Sequence, residues 1–246
     1  MLPSSEIRVS AKHLASTLTF LSVLIVIVGG IAHISRHQII GDLDDPIADM
    51  LRRLDIVEEP SLSQWFSSTL HLIVAMLCLG IGLSIGRLMK WRWIGLSAIF
   101  CFASIDEAIM IHEMMDRPTR EWLGTSGFLS IAWIIPGTLI ALVIATGYAS
   151  FLAQHPRNIA LLFLLSGIIF LSGAILMEIP GGYLYERYGF SSWHYIASYA
   201  IEECLEMLGL TLFLYALLQY IAGETQFGEP LSLQLSSAGK EVSGSL

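Results

Sequence analysis

Six long apolar stretches constrain this chain more than any other feature. They run over residues 14–34, 68–89, 93–111, 127–152, 159–179 and 195–221. A helix needs about 20 apolar residues to cross the hydrocarbon core of a bilayer. Inside that core only helices and closed barrels satisfy their own backbone groups. Barrel strands alternate apolar and polar residues over about ten positions, and these stretches show no such alternation. The expected fold is therefore all-α, a polytopic bundle of about six transmembrane helices. Only 14% of the residues are charged and 54% are hydrophobic, whereas soluble domains carry about a quarter charged. The first stretch follows Arg8 and Lys12 as a signal peptide would. Its apolar run exceeds a signal h-region of about 7–15 residues and no small-x-small cleavage pattern follows, so it reads as a retained span.

A single membrane domain, 14–221, is expected between a polar tail at 1–13 and a flexible, Gly/Ser/Glu-rich tail at 222–246. The longest connection holds an N-cap signal, Asp45-Pro46, followed by Ile47, Met50, Leu51, Leu54 and Val57 at helical spacing. With Asp49, Arg52, Arg53 and Asp55 between them, they describe an amphipathic interfacial helix over about 45–58. Trp65, Phe66, Trp122 and Trp193 fall where an outer aromatic belt belongs, and Trp91 and Trp93 where an inner one does. Pro136 is expected to kink the fourth span, and Glu178-Ile-Pro-Gly-Gly to end the fifth. Cys78, Cys101 and Cys204 lie inside spans, an odd count that fits small buried residues better than a disulfide framework.

With six spans both termini share a side. That side carries Arg8, Lys12, Arg87, Lys90, Arg92, Arg157 and Lys240, including a short, purely basic 87–92 loop. The positive-inside rule then puts both termini in the cytoplasm of a bacterial inner membrane. Only four acids (Glu6, Glu224, Glu229, Glu241) lie there, and the other 17 of 21 lie on the outer side. So negative an outer face attracts cations and disfavours nucleic acid.

Ionisable groups inside spans cost about 2.5–3.5 kcal/mol each at a helix centre, so each needs a reason. Here they gather in the outer half: Ser67 and His71, Asp106 and Glu107, His112 and Glu113, Glu178, and Glu202, Glu203 and Glu206. Glu202 and Glu206 are i, i+4 and share one helical side with Glu203 close by. Asp106 and Glu113 share a stripe, while Glu107 and His112 flank it on opposite sides and cannot all meet without distortion of the helix. His33, His37 and His194 fall near the headgroups and read as interfacial, and Glu178 has a second reading as a partner of Arg187. Crowded carboxylates without counter-charge repel one another, and a divalent metal such as Zn, Fe or Mn is the simplest remedy. The expected metal ligands are His71, Asp106, His112, Glu113, Glu178, Glu202 and Glu206. Asp106, Glu107 and Glu203 are the expected catalytic acids and bases.

The run Ser104-Ile-Asp-Glu-Ala-Ile-Met-Ile-His112-Glu113, with Glu202-Glu-Cys-Leu-Glu206-Met-Leu-Gly, resembles a family of uncharacterised bacterial multi-pass membrane proteins over residues 65–221. That resemblance implies topology and little about function. Ser67-x-x-x-His71 and Asp106…His112 are also similar to the serine, aspartate and histidine of the alkaline ceramidase-like superfamily of membrane metal hydrolases. The closing His-x-x-x-His of that superfamily aligns with Glu202-x-x-x-Glu206, where this chain has carboxylates.

Three function classes follow. One is a membrane-embedded metal enzyme, a hydrolase or a di-metal oxidoreductase, acting on a lipid or small amphiphile. Another is an accessory subunit contacting a membrane-protein partner. The third, a cation or proton transporter, lacks a polar route through the inner halves of the spans.

Overall fold

The computed structural model describes residues 10–40 and 46–224. The expected cap Asp45 and most of both tails lie outside the described residues. Every regular element among them is helical: α1 (Ala11–Ile34), α2 (Pro46–Leu54), α3 (Leu62–Ser84), α4 (Arg87–Ile109), α5 (Ile111–Leu123), α6 (Ile134–Leu152), α7 (Arg157–Leu171), α8 (Glu178–Tyr188) and α9 (Trp193–Glu224). π-helical turns at Ser35–Ile40 and Ser172–Met177 extend α1 and join α7 to α8. Five continuous helical stretches are long and apolar enough to cross a membrane, six when α4 and α5 count as one span bent by 77°. This is the expected polytopic α-helical bundle.

α9 is the central helix and packs against α1, α3, α7 and α8. Lipid is as apolar as leucine, so helices in a bilayer associate through close packing and hydrogen bonds. Small residues supply both. A Cβ on Gly209 would stand 2.7 Å from the Phe170 backbone nitrogen, so α9 and α7 touch backbone to backbone. α3 and α4 are laced by Ser68 Oγ donating to Ser104 O (2.8 Å), Ser104 Oγ to Ser68 O (2.9 Å) and Ser97 Oγ to Ala75 O (2.7 Å). α6 exposes most of its apolar surface and is tied in by Arg92 donating to Gly147 O and Ser150 Oγ, and by Tyr148 OH donating to Arg92 O.

Four expectations change. Trp93 is not in an aromatic belt: it is wholly buried, stacked on Tyr220 and edge-on to Phe151. Trp65, Trp91, Trp122 and Trp193 are exposed, as belt residues are. Pro136 lies in the first turn of α6 and starts that helix instead of kinking it, because the first turn needs no N–H at that position. Pro180 likewise sits in the first turn of α8, so helix continues beyond Glu178 to Tyr188. The third span runs from Arg87 and breaks at Met110.

Candidate functional site: an acidic cavity and a histidine trio

The break at Met110 is the distortion that the spacing of Asp106, Glu107, His112 and Glu113 requires. Met110 adopts φ 57° and ψ 48°, the left-handed region, which costs a non-glycine residue about 1–2 kcal/mol. Asp106 offsets that cost. Its Oδ1 accepts the His112 backbone N–H at 2.8 Å and its Oδ2 accepts the ring Nδ1–H at 3.0 Å. The carboxylate thereby caps α5 and orients its imidazole. The His112 ring packs against Trp133, with centroids 4.8 Å apart, and Trp133 Nε1 donates to Glu178 Oε1 at 3.0 Å.

Glu178 follows the π turn, whose extra residue per turn re-aims the side chains after it. Gly173 inside that turn lets α9 approach: a Cβ there would be 2.7 Å from Glu202 O and 2.8 Å from Glu206 Cγ. Across this contact α9 presents Tyr195, Tyr199, Glu202, Glu203 and Glu206. The charges of Glu107, Glu203, Glu178 and Asp106 all act on Glu206. Glu202 feels Glu178, Glu206, Glu203 and Glu107, and Glu203 feels Glu107 and Glu59. Glu107, Glu178, Glu203 and Glu206 are each half-buried, and the acidic cavity is the space between these interacting carboxylates.

Glu59, in the connection before α3, joins this cavity. Tyr199 OH donates to its Oε1 at 3.4 Å, and its Oε2 is buried without a hydrogen-bond partner. Burial, reinforced by the charge of Glu113, pushes its pKa up to about 7. Among the described residues, His112 is a basic group whose charge acts on Glu59, Glu107 and Glu178. Arg36 is held by Asp55 and Glu58, Arg117 by Glu121 and Arg120 by Asp116, while Arg187 lies over Tyr183 and Tyr188 and leaves Glu178 alone.

The structure therefore brings Asp106, Glu107, His112, Glu178, Glu202, Glu203 and Glu206 together, with Glu113 exposed on the rim. His71 is buried beside them; its Nδ1–H donates to Ser67 O at 3.1 Å, which leaves Nε2 as the free lone pair. Both Asp106 oxygens accept a hydrogen bond from His112. His194 is stacked between Tyr188 and Trp193, away from the cavity. Sequence reasoning passed over Glu59, Tyr199 and Trp133. Tyr199 was findable, as it precedes Glu203 by one helical turn on a polar stripe of α9.

The cavity carboxylates are spaced more widely than ligands of a single ion. Among the described residues, the one trio with ligand atoms all within 4.8 Å of one another is His33, His37 and Asp55. This trio has the geometry to hold a metal ion. His33 is wholly buried within the protein. The fold puts α1 beside the segment after α2, where a Cβ on Gly29 would be 2.8 Å from Ile56 Cβ, and so carries Asp55 inward. His33 Nδ1–H donates to Asp55 Oδ1 at 2.9 Å, the Val57 N–H donates to the same oxygen at 3.0 Å, and Arg36 Nη1 reaches Oδ2 at 3.4 Å. Burial works to raise the Asp55 pKa, but the bonds from His33 and Val57, with the charges of His33 and Arg36, hold it below the usual carboxylate value.

A family model described as a domain of unknown function (DUF8692) matches residues 18–220. No curated protein and no solved structure matches the chain.

Proposed function

The chain belongs to the DUF8692 family, and we propose that it is a membrane-embedded, divalent-cation-dependent enzyme, a hydrolase of a lipid or other small amphiphile, with the acidic cavity as its working centre. One observation carries this reading. The charges of Glu59, Glu107, Glu178, Glu202, Glu203 and Glu206 act on one another, and that of His112 on Glu59, Glu107 and Glu178, while Arg36, Arg117 and Arg120 are each paired with another acid.

A cation there would add to the screening that His112 gives these acids, and would supply the chemistry of an activated water at neutral pH. Glu178, Glu202 and Glu206 are the residues that would hold such a cation. Asp106 fixes His112 with Nδ1 protonated and Nε2 turned outward, the arrangement by which a carboxylate orients a ligating or basic imidazole. Glu107 and Glu203 would serve as the acid and base that take up and return a proton. The hydrolase class is supported by the Ser67, His71, Asp106 and His112 types that the chain shares with ceramidase-like enzymes. Access for an amphiphile is supported by α5, whose first turn holds His112 and which exposes Met114, Met115 and Trp122. The site faces the outer leaflet of a bacterial inner membrane in this reading, with both termini cytoplasmic.

Elemental analysis of detergent-purified protein, paired with lipid hydrolysis assays, tests the proposal. Glu206→Gln and Glu202→Gln should each lower bound metal and hydrolysis, and Glu186→Gln should lower neither, since Glu186 is exposed and only accepts the Gly127 N–H. Equal metal and equal turnover in all three variants would sink it. Reporter fusions at residue 246 and near Asp55 should read opposite sides of the membrane, and matching sides would overturn the orientation.

A further inference from the structure

We infer that His33, His37 and Asp55 form a second metal site, distinct from the cavity, that binds a zinc-class transition ion and clamps the outer end of α1 to the segment leading into α3. The donor set is two imidazoles and a carboxylate, with ligand atoms already within 4.8 Å of one another. Ligands of one zinc or cobalt ion, bound at about 2.0–2.2 Å, stand about 3–4 Å apart, so a small closure suffices.

The ion pair alone does not account for this arrangement. His33 and Asp55 are wholly buried and share one hydrogen bond, through His33 Nδ1. The Nε2 atoms of both His33 and His37 are buried with no hydrogen-bond partner, although the two rings lie 4.5 Å apart. An unsatisfied buried polar atom costs about 1–3 kcal/mol, and His37 Nε2, which has no hydrogen bond but stands 3.9 Å from Asp55 Oδ2, leaves room for an ion between imidazole and carboxylate. The π turn at Ser35–Ile40 holds this placement, since it follows His33 and contains His37. π turns recur where a function offsets their poorer geometry.

Arg36 does not block the ion. Its closer carboxylate is Glu58, at 2.8 Å, against 3.4 Å for Asp55, so it stays paired when Asp55 turns to a metal. Phe190 walls the site, 5.3 Å from the His33 ring and 5.7 Å from His37. Ligands drawn from two buried side chains and one partly exposed one fit a structural ion better than a catalytic one. Imidazole donors select zinc, cobalt, nickel or copper, whereas the oxygen-rich cavity favours magnesium, manganese or iron.

The experiment is Co(II) titration of the chelator-stripped full chain in detergent, read by visible d–d absorption and by thermal stability. Wild type should take up Co(II) with the intense bands of a low-coordinate nitrogen-containing site and should unfold at higher temperature. His37→Ala should weaken that binding by at least about 10-fold and abolish the stabilisation. His37 is partly exposed, so this variant should fold even where His33→Ala does not. Glu58→Gln and the cavity variant Glu206→Gln should keep the bands. Bands lost in Glu206→Gln but kept in His37→Ala would overturn this site while leaving the cavity reading intact. Wild type without such bands would overturn it as well.

Discussion

Asp106 gives both carboxylate oxygens to one residue, His112, at 2.8 Å to its backbone N–H and 3.0 Å to its ring. The contact spans the left-handed turn at Met110, so one side chain stops α4, starts α5 and sets an imidazole at the cavity mouth. Asp106→Asn keeps the size but presents an amide nitrogen to one of two donors. Stability should fall by about 1–3 kcal/mol, the cost of an unmatched half-buried polar group. Metal affinity in the cavity should fall about 10–100-fold, as when a ligand histidine loses its orienting carboxylate. Thermal unfolding in detergent and metal titration read the two effects separately.

Met110 pays a backbone penalty that glycine would not. Met110→Gly should be neutral or stabilising by up to about 1 kcal/mol, once the greater freedom of glycine in the unfolded chain is subtracted. Met110→Ile should destabilise by about 2 kcal/mol or more, because a β-branched residue fits the left-handed region worst. Paired thermal melts decide the order of the three proteins, and an isoleucine variant as stable as wild type would remove the strain argument.

Gly173 is where the π turn meets α9. Its missing Cβ would stand 2.7 Å from Glu202 O and 3.1 Å from Glu206 N, atoms of a rigid helix that cannot step aside alone. Gly173→Ala should therefore push α9 away from α8 and cost about 1–3 kcal/mol. It should also reduce cavity metal binding, since the added methyl meets the Glu206 side chain as well. Gly167→Ala, at a position with open space for a Cβ, serves as the control and should change neither quantity.

Glu59 supplies a pH dependence. Burial lifts its pKa from 4.5 to about 7. Between those values the folded protein holds a proton that the unfolded chain releases. The resulting stabilisation is fully present below about pH 4.5 and is lost as pH rises through about 7. Glu59→Gln retains the neutral shape and should flatten that part of the stability profile, by at most about 3 kcal/mol in total. Melts of metal-free protein from pH 4.5 to 8 test it, and parallel profiles for the two proteins would refute it.

The sequence by itself determined the helical membrane architecture, because a run of about 20 apolar residues is legible without knowing its neighbours. It also determined which acids share a helix face, such as Glu202 and Glu206, since helical spacing is a local property. Tertiary structure alone decided where those faces point and what meets them. Nothing local to residues 93–123 announces that Met110 turns left-handed, because a non-glycine residue goes there only when distant packing and the Asp106 cap hold it. Nor does the polar pattern of the 46–57 segment reveal that Asp55 is swallowed beside His33, 22 residues earlier. An aspartate at the end of an amphipathic helix looks solvated. Only the approach of α1 and Gly29 to Ile56 removes it from water, and a contact between elements so far apart in the chain leaves no periodic trace in either.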